Sequence, residues 1–304
     1  MQDLDTIRLN FNPESLLLLN VILGLVMFGV ALDLTVHDFK RILRAPLAPV
    51  IGLVSQFVLL PALSFGLIYV LDLRPSLALG VLLVAACPGG NISNFIAHLA
   101  KGSTALSVSM TAMSTALAIF MTPFNITFWA SLNPGTRAML TQINVDPLDL
   151  FGTVLMLLGV PLVAGMWIHH KYPAVAHKLR KPFRIFSLIF FGLFVIGALA
   201  ANWANFMKYI GAIFGLVLVH NAIAIALGYT SSFLARLEEQ DRRAVAIEVG
   251  IQNSGLGLAL IFTFFNGNGG MALVAAWWGI WHIVAGMTMA AFWSRFPPKG
   301  QSVN

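Results

Sequence analysis

The chain has 304 residues, of which 58% are hydrophobic and 10% are charged. Soluble domains carry about 25% charged residues, so this composition excludes an ordinary soluble enzyme or binding module and predicts a polytopic membrane protein. The net charge of +6 does not indicate a nucleic-acid partner, because basic residues collect in the cytoplasmic loops of membrane proteins whatever those proteins bind.

Nine apolar segments follow in chain order, and a helix needs about 20 such residues to cross a bilayer. They cover residues 16–32, 45–71, 76–100, 103–129, 148–170, 183–201, 209–236, 242–266 and 270–294. Acidic residues precede the first segment where a secretory signal would carry basic ones, so we predict a retained helix there. The longest connection, around 131–147, contains Asn133-Pro134-Gly135 and is predicted to be a surface loop.

Lysine and arginine are distributed unequally between the two sides of this arrangement. Fourteen lie on one side, whereas the other side holds only Arg8, Arg74, Arg137 and Lys208. Since basic residues mark the cytoplasmic side, the bias predicts a multi-pass protein of the cell membrane with its N-terminus outside and its C-terminus in the cytoplasm. One helix too many or too few in the count would place basic-rich loops on both sides of the membrane. The bias therefore also supports about nine transmembrane helices.

The two halves of the chain match at an offset of 165 residues, which carries Gln56 onto Asn221. The same offset carries the first four segments onto segments six to nine. Paired segments are five apart, an odd number, so the repeats at about 16–129 and 183–294 must have opposite orientations. Such inverted repeats are common in secondary transporters.

The third and eighth segments are both interrupted by polar, glycine-containing runs. Residues 87–94 read CPGGNISN, in which a proline and two glycines remove a helix donor and free the backbone. Residues 248–255 read EVGIQNSG. Freed backbone groups in hydrocarbon must be buried in protein or line a wet cavity. Two broken helices in corresponding halves therefore indicate a binding site at the midplane, with kinks that serve packing alone as the alternative.

Glu248 is the one acidic residue well inside an apolar segment. An acid at the helix centre costs about 2.5–3.5 kcal/mol on translocon scales, so it usually has a partner. No Lys or Arg lies at matching depth, which favours a bound cation over the alternative of a protonated, structural Glu. A hard cation such as Na⁺ prefers oxygen ligands. Candidate side-chain oxygens belong to Gln56, Ser93, Asn94, Ser107, Thr111 and Gln252.

The motifs CPGGNISN and EVGIQNSGLGLAL resemble those of the bile acid:sodium symporter family, including its bacterial homologues. The resemblance extends from Phe28 to His282 and implies a single all-α transporter unit. Two broken helices would cross in a core domain, which moves against a panel domain. The panel would contain residues 16–32, 148–170 and 183–201, and the core residues 45–129 and 209–294.

Carried over by position, the resemblance implies two sodium sites. One would use Ser93, Asn94, Ser107, Thr111 and Glu248, and the other would use Gln56, Glu248, Gln252 and the backbone carbonyls of Val249 and Ile251. Asn91, Asn253 and His282 match residues near the substrate. Asn91 stands where Thr or Ser is common, and Ile283 replaces a polar Asn. These two departures argue against carrying steroid specificity over, so the anion is expected to be a small carboxylate or bile-acid-like, and Ile283 favours the small organic acid.

Three functions are open at this point. We expect a symporter that couples Na⁺ entry to uptake of an organic anion by alternating access. A sodium/proton antiporter with the same crossed-helix fold is the alternative, although such antiporters usually pair the acid with a second acid or a Lys. A receptor or membrane enzyme comes third, since the chain has no GxSxG, HExxH, P-loop or CxxC motif.

The expected partners are two Na⁺ ions, the organic anion and membrane lipids. Nothing in the sequence indicates nucleic acid or an obligatory protein partner. The single cysteine, Cys87, excludes an intrachain disulfide.

Overall fold

The computed structural model describes residues 5, 13–143, 146–201 and 203–298. Arg8 and Lys299, two charges used in the orientation prediction, lie outside these residues. Within the described ranges every regular element is a helix, which confirms the all-α prediction. The helices are α1 (Pro13–Ala31), α2 (Val36–Arg44), α3 (Leu47–Val70), α4 (Pro75–Ala86), α5 (Ile92–Leu99), α6 (Thr104–Leu132), α7 (Pro134–Ile143), α8 (Pro147–Lys171), α9 (Pro173–Ala201), α10 (Trp203–Leu234), α11 (Glu239–Gly250), α12 (Ser254–Phe264) and α13 (Gly269–Ser294).

Each predicted apolar segment coincides with one helix, or with two at the third and eighth segments. The predicted breaks are confirmed, since α4 and α5 are separate helices, as are α11 and α12. Of the described helices, five are long and apolar enough to cross a membrane, namely Leu47–Val70, Thr104–Leu132, Pro147–Lys171, Ile213–Leu234 and Gly269–Ser294. Shorter apolar stretches are Asn20–Ala31, Pro75–Ala86 and Ser254–Phe264. The number of crossings in a membrane stays a prediction.

Two connections contain short helices that the sequence analysis did not predict. The expected surface loop at 131–147 is wrong, because α7 occupies most of it. Pro134 is favourable at the first helical position, and the Asn133 side chain accepts from the backbone N–H groups of Gly135 and Thr136 at 2.9 and 3.2 Å. At the other helix, α2, Thr35 and Asp38 cap each other's backbone N–H groups at 2.8 and 3.3 Å.

Helices α3 and α8 each contain one π-helical turn, at Ser55–Leu59 and Leu155–Gly159. In α3 the turn comes just before Pro61, which has no N–H to donate to the carbonyl of Phe57. The Asn125 side chain of α6 donates to that carbonyl instead, at 3.0 Å. Such turns are frequent at functional sites, and this one contains Gln56, a predicted sodium ligand.

Two groups of helices each pack together, and contacts also join the groups, since α6 packs on α8 and α12 packs on α1. Helix α1 packs against α8 and α9, the three helices of the predicted panel. In the other group α10 packs along α11, and α13 packs on α4 and α5. The α10–α11 contact is so close that a methyl group at Gly228 would lie 2.8 Å from the Cα atom of Ala246. The half-helices at the two breaks are therefore enclosed by other helices.

Candidate functional site

The two interrupted helices meet at their breaks and satisfy each other's freed backbone groups. Gly90 donates its N–H to the carbonyl of Ile251 at 2.7 Å, and Asn253 donates to the carbonyl of Pro88 at 2.9 Å. Gly89 and Gln252 thus face each other in an isolated antiparallel bridge. Unpaired backbone groups cost several kcal/mol in hydrocarbon, so this exchange stabilises two breaks that neither helix could sustain alone.

The crossing has a local two-fold pattern. An offset of 163 residues carries Gly89 onto Gln252, and it also carries each of the two backbone hydrogen bonds onto the other. Side-chain amides are arranged similarly, since Gln56 donates to the carbonyl of Cys87 at 2.8 Å and Asn221 donates to that of Gly250 at 2.7 Å. The two carbonyls are 163 residues apart, whereas the two amides are 165 apart. The local offset is two residues smaller than the 165 read from the sequence.

Three helices bring oxygen atoms together around the buried carboxylate of Glu248. Ser93 of α5 donates to Oε2 at 2.6 Å, and Thr111 of α6 donates to Oε1 at 2.8 Å. Ser107 lies 3.2 Å from Oε2 and 2.8 Å from Oδ1 of Asn94. We call these five residues the oxygen cluster. The structure thus assembles the first predicted ligand set, although sodium binding there stays a prediction.

The hydroxyl groups of the oxygen cluster supply fewer protons than there are acceptor oxygens within reach. Its three hydroxyl groups supply one proton each, whereas the acceptors in reach are both oxygens of Glu248, Oδ1 of Asn94 and the carbonyl of Ser107. In the described parts of the chain no cationic side chain forms an ion pair with Glu248. The cluster is therefore an electron-rich cage whose charge a small cation could compensate.

Gly89 explains how the first break reaches the carboxylate. A methyl group added at Gly89 would overlap Oε1 of Glu248. Three hydroxyl groups hold that carboxylate in place, so it has little freedom to move away. Only glycine allows the backbone of the first break to pass this close to Glu248.

The second predicted ligand set is only partly assembled. Nε2 of Gln56 lies 2.8 Å from Oε1 of Gln252, and Gln252 donates to the carbonyl of Val249 at 2.7 Å. The carbonyl of Ile251 accepts from Gly90, as described above. The carboxylate of Glu248 accepts from the three hydroxyl groups of the oxygen cluster, and its described hydrogen bonds do not extend to Gln56 or Gln252.

The predicted substrate residues lie at the crossing and on α13. Asn91 precedes α5, is half-buried and makes no helix-capping bond with its side chain. Asn253 caps α12 by accepting from Leu256 at 3.0 Å, and its amide nitrogen lies 3.5 Å from the sulfur of Met27 on α1. His282 is buried, and within the described residues its Nδ1 has no hydrogen-bond partner.

Three polar residues that support the site were not predicted. Thr122 donates to the carbonyl of Ala86, where α4 ends, at 2.7 Å. The Asn125 side chain donates to the carbonyl of Phe57, which Pro61 leaves without a helical donor. The Asn221 side chain donates to the carbonyl of Gly250 at the end of α11. The 165-residue match of Gln56 to Asn221 was the one sequence signal for any of them. Isolated Thr and Asn residues in apolar segments otherwise resemble those that bond to their own helix.

Comparison with known proteins identifies the family. A model of the sodium bile acid symporter family matches residues 20–209, which include the first break. The chain belongs to this family.

Relatives of the sodium bile acid symporter family match over most of the chain. The uncharacterized sodium-dependent transporter YocS of Bacillus subtilis is 34% identical over 284 residues, covering 93% of this chain and 85% of that protein. The probable chloroplastic sodium/metabolite cotransporter BASS1 of Arabidopsis thaliana is 30% identical over 281 residues, 91% of this chain and 67% of that protein. The human ileal sodium/bile acid cotransporter is 32% identical over 253 residues, 82% of this chain and 70% of that protein.

Membership of the sodium bile acid symporter family, together with the apolar helices, makes the chain a multi-pass membrane protein of a sodium-dependent transporter family. The family consists of transporters, not enzymes. The resemblance stated from the two broken-helix motifs is thereby confirmed.

Proposed function

We propose that this protein is a symporter that couples Na⁺ entry to the uptake of an organic anion. The observation that carries the proposal is the oxygen cluster, where a buried carboxylate and four further polar side chains converge without a cationic partner among the described residues. A hard monovalent cation fits such an oxygen cage. The relatives named as sodium-dependent transporters and cotransporters support Na⁺ as that cation.

We assign the first sodium ion to the oxygen cluster, that is, to Ser93, Asn94, Ser107, Thr111 and Glu248. The second ion would lie beside the crossing, among Gln56, Gln252, Glu248 and the carbonyls of Val249 and Ile251. Two features support this second assignment: the π turn that places Gln56 there and the contact of Gln56 with Gln252 at 2.8 Å. To bind an ion, the amide oxygens would exchange their present hydrogen bonds for the cation.

The substrate would be an anion bound near the crossing. After each break a half-helix begins, α5 at Ile92 and α12 at Ser254, and helix N-termini attract anions through free N–H groups and the helix dipole. Asn91 and Asn253 would orient the ligand, with His282 farther from it. The apolar Ile283 leads us to propose a small carboxylate over a bile acid.

Alternating access would come from movement of the core, residues 45–129 and 209–294, against the panel of α1, α8 and α9. The packing of those three helices against one another supports this division. The exchange of backbone bonds at the crossing supports the inverted repeat. We keep the predicted orientation, with the N-terminus outside and the C-terminus in the cytoplasm. No described residue supports the antiporter alternative, because Glu248 is the one buried carboxylate in the described ranges.

A thermal-shift screen of the purified protein tests this proposal. Small carboxylates and bile salts would be added in sodium chloride and in choline chloride at equal ionic strength. We expect at least one small carboxylate to raise the melting temperature in Na⁺ and to have a smaller effect in choline, because a ligand that binds the native state stabilises it. A neutral or cationic compound that outcompetes every carboxylate would contradict the anion assignment.

A further inference from the structure

Arg243 is a buried cation for which the proposed transport mechanism has no role. By sequence Arg243 is one of the fourteen basic residues on the predicted cytoplasmic side, but the structure places it inside α11 with 4% exposure. A buried charge is costly unless it is paired and hydrogen-bonded. The partners of Arg243 therefore show what this residue holds together.

The guanidinium group of Arg243 connects three helices. It donates to the carbonyl of Ala100 at the end of α5 at 2.9 Å, and to the carbonyls of Trp293 and Phe296 at the end of α13 at 3.0 and 2.7 Å. Its Nε donates to Glu239 of its own helix at 2.9 Å. Carbonyl groups at helix C-termini have no partner within the helix and carry partial negative charge, so a cation stabilises both ends.

Neighbouring aromatic side chains fix the plane of this guanidinium. It lies 5.6 Å from the ring centre of Trp293, which stacks on Tyr229 of α10 at 5.8 Å. Tyr229 in turn donates to the second oxygen of Glu239 at 2.9 Å. The guanidinium of Arg243, the carboxylate of Glu239 and the hydroxyl of Tyr229 are all hydrogen-bonded, which makes the arrangement a rigid link between α5, α10, α11 and α13.

The two half-helices that Arg243 links, α5 and α11, also contain three of the five residues of the oxygen cluster, namely Ser93, Asn94 and Glu248. At the inner end Ser93 of α5 donates to Glu248 of α11, and at the outer end Arg243 of α11 donates to Ala100 of α5. Glu248 lies five residues beyond Arg243, about 7.5 Å along the helix axis. The two antiparallel half-helices are thus joined at both ends, so the link at Arg243 limits sliding of Ser93 past Glu248.

We propose that Arg243 is a positioning residue for cation binding, which sets the register of α5 against α11 and so the shape of the oxygen cluster. This inference rests on the proposed sodium coupling. Lysine could not replace Arg243, because an ammonium group lacks the planar fork that reaches several carbonyls while stacking on a ring. Arg243→Lys would keep the charge and lose the register.

The test is a sodium titration of thermal stability in the full-length protein, with choline chloride holding the ionic strength constant. Arg243→Lys should raise the Na⁺ concentration for half-maximal stabilisation by about tenfold, a typical effect of removing a group that orients metal ligands. Arg242→Lys is the matched control and should keep the parent midpoint. Arg242 is the neighbouring arginine, also near Glu239 at 3.8 Å, but it donates to Leu237 rather than to α5 or α13.

A merely structural role would lower the melting temperature in choline and leave the sodium midpoint at the parent value, and that result would overturn the inference. If Arg243→Lys does not fold, Glu239→Gln replaces it as the test, because this change removes the ion pair that orients the guanidinium. The Na⁺ concentration for half-maximal stabilisation of Glu239→Gln should also rise. An unchanged value would overturn the inference. A parent protein that Na⁺ does not stabilise relative to choline would overturn the sodium coupling itself. Parent stabilisation with unshifted variants would overturn the role of Arg243 alone.

Discussion

Glu248→Gln tests the shared role of this carboxylate in both proposed sodium sites. The substitution preserves the size of the side chain and removes one negative charge. In the oxygen cluster both carboxylate oxygens accept hydroxyl bonds, Oε2 from Ser93 and Oε1 from Thr111. An amide would turn one of these acceptors into a donor. The cage would therefore lose its charge and one oxygen ligand together.

The expected magnitude follows from the size of the oxygen cluster. Its hydrogen-bonded oxygen atoms lie between 2.6 and 3.4 Å apart. A sodium ion among them would therefore lie within about 4 Å of the carboxylate, where two unit charges attract by about 4 kcal/mol at an effective dielectric constant near 20. That energy corresponds to roughly a thousandfold in affinity. Sodium-driven uptake should fall to background at ordinary Na⁺ concentrations.

The assay is the initial rate of uptake into proteoliposomes under an inward Na⁺ gradient, with a monoanion that the thermal-shift screen identifies. The matched control is Glu238→Gln, which removes an exposed carboxylate just before α11 that makes no capping bond. The control should transport as the parent does. Near-parent uptake by Glu248→Gln, at equal incorporation into the vesicles, would refute the shared-ligand assignment.

Three further predictions separate the parts of the proposed mechanism. The double change Ser107→Ala and Thr111→Ala should weaken Na⁺ affinity and lower the Hill coefficient for Na⁺. Gln56→Ala or Gln252→Ala should disturb cation binding at the second proposed site. An unaltered Na⁺ dependence in all of these variants would contradict both ligand sets. Gly89→Ala places a methyl group against the carboxylate of the oxygen cluster and should weaken sodium-dependent stabilisation, whereas Gly197→Ala, where a methyl group meets no atom within 4 Å, should not. Two Na⁺ with one monoanion carry one net positive charge, worth about 2.3 kcal/mol per 100 mV, so an inside-negative potential set with K⁺ and valinomycin should accelerate uptake. Initial rates that do not respond to potentials of either sign would exclude the two-sodium stoichiometry.

The sequence predicted the interrupted helices because their cause is local. A proline followed by two glycines at 88–90, and glycines among amides at 250–255, disfavour a continuous helix through local backbone properties. The isolated acid Glu248 was equally visible, because a charge inside an apolar segment requires a partner. The side-chain oxygens of the oxygen cluster were candidate ligands on residue type alone, and the family resemblance grouped them into one site. The structure brings them together on α5, α6 and α11.

Other features depend on contacts that the sequence does not display. The π turn around Gln56 comes just before Pro61, and the carbonyl that this proline leaves free accepts from Asn125 on another helix. The 163-residue offset at the crossing could not be read from whole segments, since the backbone exchange between the breaks sets it. Helix α7 was missed because its capping by Asn133 outweighs the turn tendency of Asn133-Pro134-Gly135.

The sequence by itself determined the membrane character of this protein, its broken helices and the need of Glu248 for a partner, because hydrophobicity, backbone freedom and the cost of a buried charge are properties of short stretches of chain. Only the tertiary structure decided which oxygens meet Glu248 and which groups hold them in register. Arg243 shows the difference most clearly. In the sequence it is one of fourteen basic residues on one side of the membrane, and only the carbonyl ends of α5 and α13, brought together by packing, give it a specific position.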